Sequence, residues 1–114
     1  MIIGIPREVK NNEFRVGLTP GNVSGLCKQG HTVLVQRGAG EQIGLTDESY
    51  RIAGASLINS AAEVFHKAEM IVKVKEPQAQ ECAMLREDQI LFTYLHLAPD
   101  PKQTPTLGHG ALPD

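Results

Sequence analysis

Cysteine is scarce in this chain of 114 residues, with Cys27 and Cys82 the only two. Their separation matches no metal-ligand spacing. With no secretion signal to go with them, they are expected as reduced thiols rather than a disulfide. A basic amino-terminal region is missing too: Met1-Ile2-Ile3-Gly4-Ile5 is apolar and stops at Pro6, unlike a signal peptide. No apolar run comes near the roughly 20 residues that a membrane-spanning helix requires. Basic residues number 11 against 13 acidic ones, a net charge of −2, and they form no cluster. That balance argues against nucleic acid as the main partner. Internal repeats and low-complexity segments are absent as well. What is there, 41% hydrophobic and 21% charged residues, is the composition of a soluble globular domain able to bury a core. The expected compartment is the cytoplasm.

The stretch from Met70 to His96 organises the rest. Met70 to Lys75 is β-rich and is stopped by Glu76-Pro77, because proline cannot donate to a sheet ladder. Ile90 to Leu95 is nearly continuous in apolar residues, the pattern of a strand buried on both faces of a parallel sheet. Gln80 to Arg86 between them is compatible with a helix, and Glu87-Asp88-Gln89 reads as a polar turn. A strand, a crossover and a parallel strand bring both carboxyl ends to one edge of the sheet. Lys75 and His96 then share that edge, where open α/β sheets bind ligands. Taken singly, a solvated lysine and a turn-capping histidine are the ordinary alternatives.

Upstream, the same alternation repeats. Ile2 to Ile5 reads as a strand, followed by a polar loop from Arg7 to Thr19 that contains Arg15. Thr19-Pro20 is an N-cap followed by proline at the first helical position, and Gly30 ends the helix, with Val23, Leu26 and Cys27 on one face. Thr32 to Gln36 is the second strand. Gly38 to Gly44 is glycine-rich, but its third glycine is one place late for a dinucleotide fingerprint and no helix is expected to open there. A helix follows from Thr46 to Gly54, then a short strand from Ala55 to Ile58. Ser60 and Glu63 form a capping box opening a helix that reaches Ala68. Five strands alternating with three or four helices make this an α/β fold with a mainly parallel sheet. From Pro105 the sequence loses periodicity and gains two prolines, which reads as a disordered tail, His109 included.

If the strands are parallel, Arg15, Lys75 and His96 face one crevice. Arginine offers a planar donor fork for a carboxylate. Lysine can polarise a carbonyl oxygen, and histidine passes protons near neutrality. That trio suits a small oxo acid or amino acid without fixing the reaction.

The motifs IGIPREVKNNEFRVGLTP, the Gly38-Ala39-Gly40 loop with Ala53-Gly54-Ala55, VKVKEP and LFTYLHLA together resemble the L-alanine dehydrogenase family. That family is related to the alpha subunit of nicotinamide nucleotide transhydrogenase. The resemblance covers about residues 1–104, and Lys75 with His96 look like the dehydrogenase branch. It implies the flavodoxin-like or Rossmann-like first part of a substrate domain. By position it implies that Arg15 and Lys75 hold the carboxylate and carbonyl of pyruvate or L-alanine, and that His96 is the acid/base residue. The implied reaction is reversible oxidative deamination of L-alanine with NAD as cofactor, in a homo-oligomeric parent enzyme.

The family's pattern continues into a nucleotide-binding domain bearing the dinucleotide fingerprint, which this sequence does not contain; residues 105–114 also depart from the pattern. The chain thus reads as an N-terminal fragment that is inactive alone. A non-catalytic module binding small anions, or a transhydrogenase-like fragment, is the competing reading.

Overall fold

The computed structural model describes residues 1–10 and 12–94. Five strands run β1 (Ile2–Ile5), β2 (Thr32–Gln36), β3 (Ser56–Ile58), β4 (Met70–Lys73) and β5 (Ile90–Thr93). Four helices intervene: α1 (Pro20–Lys28), α2 (Asp47–Ala53), α3 (Ala61–Lys67) and α4 (Ala79–Cys82), with a 3-10 turn at Glu41–Ile43. The sheet order is β3-β2-β1-β4-β5 and every pairing is parallel. The expected α/β architecture is therefore the observed one. After β1 the chain steps outward to β2 and β3, then returns to the other flank of β1 as β4. The order reverses between β1 and β4, and it is at such a switch point that α/β sheets open a crevice.

Strand periodicity divides the core into two layers. Ile5, Val33 and Val35 point to one face and pack with Val23 and Tyr50 from α1 and α2. Ile71 points to the other and packs with Val64, Phe65 and Ala68 of α3 and with Leu91. Close backbone approach explains two glycines. A Cβ on Gly4 would sit 2.7 Å from the Cβ of Ala68, and one on Gly17 would sit 2.5 Å from the Val72 carbonyl oxygen. Gly4 thus seats α3 on β1, and Gly17 presses the β1–α1 loop onto β4.

Helix starts follow the expected chemistry, with refinements. Thr19 caps α1 through the Asn22 amide, and Asn22 returns the bond to the Thr19 backbone. Ser60 caps α3 through the Glu63 amide, but the reciprocal half of the expected capping box is missing. Glu63 instead reaches forward to Lys67 at 2.9 Å, the neighbour one turn on. The carbonyls that end α3 are met from afar: the buried amide of Gln89 donates to Phe65 and Ala68 at 2.7 and 2.8 Å.

Three expected boundaries shift. β4 ends at Lys73 rather than Lys75, because the next two amides leave the ladder for a carboxylate described below. The helix expected over Gln80 to Arg86 is the single turn Ala79–Cys82. β5 is described to Thr93 and is not buried on both faces: Leu91 is covered while Ile90, Phe92 and Thr93 are half-buried. Its place at the sheet margin accounts for this, since its outer flank has no strand partner among the described residues. The tail from Pro105, with His109, lies outside the described residues.

Tyr50 anchors the β1–α1 loop to the first core layer. Its ring is fully buried and its hydroxyl donates to the Leu18 carbonyl at 2.6 Å. Burial pushes its phenol from 10.0 up to about 12. The unfolded chain ionises at the ordinary value, so Tyr50 contributes stability that is complete below pH 10 and is lost as the pH rises towards 12. Tyr50→Phe is expected to cost about 1–3 kcal/mol by stranding the Leu18 carbonyl. It should also flatten the alkaline fall in stability, as measured by urea denaturation across that pH window.

Candidate functional site

Two loops meet at the carboxyl ends of β1 and β4. Pro6 ends β1 and turns the chain into the polar loop from Arg7 to Thr19; Glu76-Pro77 does the same after β4. Three salt bridges join the first loop to β4 and the loop that follows it. Lys10 meets Glu76 at 2.5 Å at the half-exposed rim. Deeper, Glu8 reaches the ammonium of Lys73 at 2.9 Å, and Lys75 contacts Glu13.

Lys73 is a charged residue on a core face. Period two places it on the same side of β4 as Ile71, and its side chain is 1% exposed. It survives there because two equally buried carboxylates meet it, Glu8 at 2.9 Å and Glu81 of α4 at 3.0 Å. The second oxygen of Glu8 accepts the Val74 amide at 2.9 Å, and the first also takes the Lys75 amide at 3.3 Å. Those bonds replace the ladder and end the strand. Glu81 accepts the Gln78 amide through Oε1. Its Oε2 faces Lys73 off the line of a hydrogen bond and is held by charge alone.

Above this buried group sits the pair expected from the sequence. Glu13, with a side chain 3% exposed, accepts Arg15 side-on: Nε donates to Oε2 at 3.0 Å and Nη2 to Oε1 at 2.9 Å. The backbone amide of Arg15 donates to the same carboxylate at 2.8 Å. Lys75 stands 3.8 Å from Oε1. Both cations therefore approach one oxygen, although Arg15 belongs to the loop after β1 and Lys75 to the loop after β4. The Arg15 hydrogen bonds hold the Glu13 carboxyl below its ordinary range, with the charges of Arg15 and Lys75 adding to the effect and burial opposing it. The guanidinium is raised in turn by its bond to Glu13.

An open cavity of about 190 Å³ adjoins the pair, walled by Arg7, Glu8, Lys10, Glu13, Arg15 and Gln42 among others. Val9 and Phe14 are exposed beside it. Lys75 does not line that cavity and reaches it only through its contact with Glu13. The cavity can take a small organic anion.

The expected site residues thus divide. Arg15 and Lys75 come together at the carboxyl edge, Lys75 two residues beyond the strand rather than at its last position. His96 lies outside the described residues. Glu8, Glu13, Lys73 and Glu81 were not anticipated. A signal for two of them was present: Glu13-Phe14-Arg15 sets opposite charges two residues apart, and Lys73 alternates into the apolar pattern of β4.

The glycine-rich loop after β2 does not fit a dinucleotide. A 3-10 turn, not an α-helix, opens at Glu41, and Glu41 puts a carboxylate in its first turn. The Gly38 amide, which a phosphate would need, is already taken by Asp47 at 2.9 Å. Both sulfurs are free thiols, as expected. Among the described residues no helix is long and apolar enough to cross a membrane.

Residues 4–111 match the family model described as alanine dehydrogenase/PNT, N-terminal domain. An alanine dehydrogenase of Methanococcus maripaludis is 52% identical over 107 residues, which is 94% of this chain and 29% of that protein. A solved L-alanine dehydrogenase superposes with a TM-score of 0.88 at 48% identity, over 94% of this chain and 29% of its own. A transhydrogenase from Sinorhizobium meliloti superposes less closely, with a TM-score of 0.76 at 33% identity over 83% and 28% of the two chains. The chain therefore spans under a third of the length of the relatives it matches.

Lys73→Met is expected to leave two carboxylates buried without a cation and to cost about 3–5 kcal/mol. Lys75→Met, at a partly exposed site with a long charge contact, should cost under about 1 kcal/mol. Urea denaturation of the two variants at neutral pH checks the contrast. Equal stabilities would show that Lys73 is not the hub of this edge.

Proposed function

The chain belongs to the alanine dehydrogenase/PNT N-terminal domain family, and on that premise we propose that it is the substrate-binding part of an NAD-dependent L-alanine dehydrogenase. The observation that supports this reading is the convergence of Arg15 and Lys75 on one carboxylate at the β1–β4 switch point. Arg15 forks onto the carboxylate of pyruvate or L-alanine with the donors that Glu13 leaves free. Lys75 directs its ammonium at the carbonyl oxygen and stabilises the charge that grows there. His96, at the close of Tyr94-Leu95-His96, moves the proton between the amine or carbinolamine hydroxyl and solvent; its role rests on the resemblance. Residues 1–104 form the substrate-domain portion, and 105–114 stand apart from it. The parent enzyme is taken as cytoplasmic and homo-oligomeric. The transhydrogenase alternative is weaker, since both identity and superposition are lower for that relative.

NAD is not accommodated by the described residues, as the Gly38–Asp47 contact indicates. Positioning two reactants is what makes such a transfer fast, and this chain positions only one of them.

Titrating the 114-residue chain with pyruvate should perturb the NMR signals of Arg15 and Lys75, and Arg15→Ala or Lys75→Ala should abolish the effect. Pyruvate binding that survives both substitutions would overturn the assignment of the site. With L-alanine and NAD the same chain should yield no NADH above a His96→Ala control. In a full-length enzyme carrying this segment, Lys75→Ala should lower kcat by about 10²–10³. Wild-type turnover there would make Lys75 a surface lysine.

A further inference from the structure

Glu13 takes only one side of the Arg15 guanidinium, Nε and one hydrogen of Nη2. Five N–H donors are available, so three remain, including those of the Nη1/Nη2 end that forks onto a carboxylate. Lys75 stands 3.8 Å from the same carboxylate, beyond hydrogen-bond distance, and keeps its protons for another acceptor. Exposure orders the three groups from the outside in: Arg15 59%, Lys75 28%, Glu13 3%. The two cations are the exposed members of the group and the carboxylate is the buried one.

We propose that Glu13 is the residue that sets the charge specificity of this site: it aligns Arg15 with Lys75 and cancels one of their two charges, so that a monoanionic oxo acid is held in preference to a dianion of the same size. The proposal rests on the reading of Arg15 and Lys75 as the oxo-acid site. The neighbouring charges agree with it. Lys10 is matched by Glu76, and Lys73 by Glu8 and Glu81, which together leave one negative charge in excess beneath the crevice. In front stand Arg7, Arg15 and Lys75 against Glu13. These nine side chains together carry one unit of positive charge, the complement of a single carboxylate. Removing the Glu13 charge makes it two, and Coulomb attraction then favours the dianion. Glu13 is a positioning residue, because it acts on the anion through the two cations that it holds.

Oxamate and oxalate are near-isosteric, planar two-carbon anions that carry one and two charges at neutral pH. The test is to titrate each into the 114-residue chain at low salt and follow the Arg15 and Lys75 NMR signals. Wild type should bind oxamate in preference to oxalate. Glu13→Gln, which keeps the size and an acceptor for Arg15, should move the ratio of the two affinities towards oxalate by roughly tenfold. Glu13→Asp retains the charge and should keep the wild-type ratio even if both affinities weaken. A ratio unchanged in Glu13→Gln would overturn the proposal while leaving the anion site standing. If Glu13→Gln does not hold its fold, Glu13→Asp decides: a ratio shifted towards oxalate overturns the proposal and an unchanged one supports it. Failure of wild type to bind either anion would instead overturn the oxo-acid reading on which the proposal depends.

Discussion

Lys73 is charged and almost wholly buried, and much of the architecture around the crevice follows from keeping it so. A lone ammonium in the core would be too costly to retain, so its partners must be buried with it. Glu8 is brought in by the loop after β1 and Glu81 by the short helix α4. Those two residues are 73 positions apart in numbering only because the chain runs out to β3 and back before β4 forms. The ion group therefore records the return of the chain across β1. It also ends β4, since Glu8 captures the Val74 and Lys75 amides that would otherwise extend the ladder.

Replacing such a group by apolar residues of similar volume is often neutral or stabilising in proteins, so stability alone is a weak reason for its presence. Position is a better one. Glu8 fixes the backbone of Lys75 while Glu13, five residues along the same loop, meets its side chain. One loop thus controls both ends of the lysine and, through Glu13, the guanidinium of Arg15. An outward pair of cations is placed on rigid backbone at the switch point, with counter-charge behind it. That arrangement suits recognition of one small carboxylate, and it accords with the similarity to alanine dehydrogenases over the whole described sheet.

On the other flank of β1, the loop after β2 is closed by its own contacts. After β2 the glycine-rich loop bends where a phosphate cradle would form in other α/β proteins. Asp47 at the start of α2 fills it from within, taking the Gly38 amide, and Leu45 packs close over Gly40. The turn is closed by the chain's own groups. The same loop lends Gly38, Ala39 and Gln42 to the wall of the cavity beside Arg15.

Local signals in the sequence determined the strands, the caps of α1, α2 and α3, the parallel sheet and the loops on which Arg15 and Lys75 stand. These depend on period-two apolar runs, on Thr19-Pro20, Thr46 and Ser60, and on prolines that stop strands, all acting over a few residues. Tertiary structure decided what those signals could not carry. The lysine of greatest structural weight is Lys73 and not Lys75, because burial depends on what α4 and the β1 loop bring against that face. β5 is half-covered rather than buried, because an apolar run reads alike at the margin and the centre of a sheet. Glu13 and Lys75 meet across 62 positions of sequence only once β4 lies beside β1. Sequence placed charges on loops; the order of the strands selected which of them share a carboxylate, since contact between distant residues is a property of the folded chain alone.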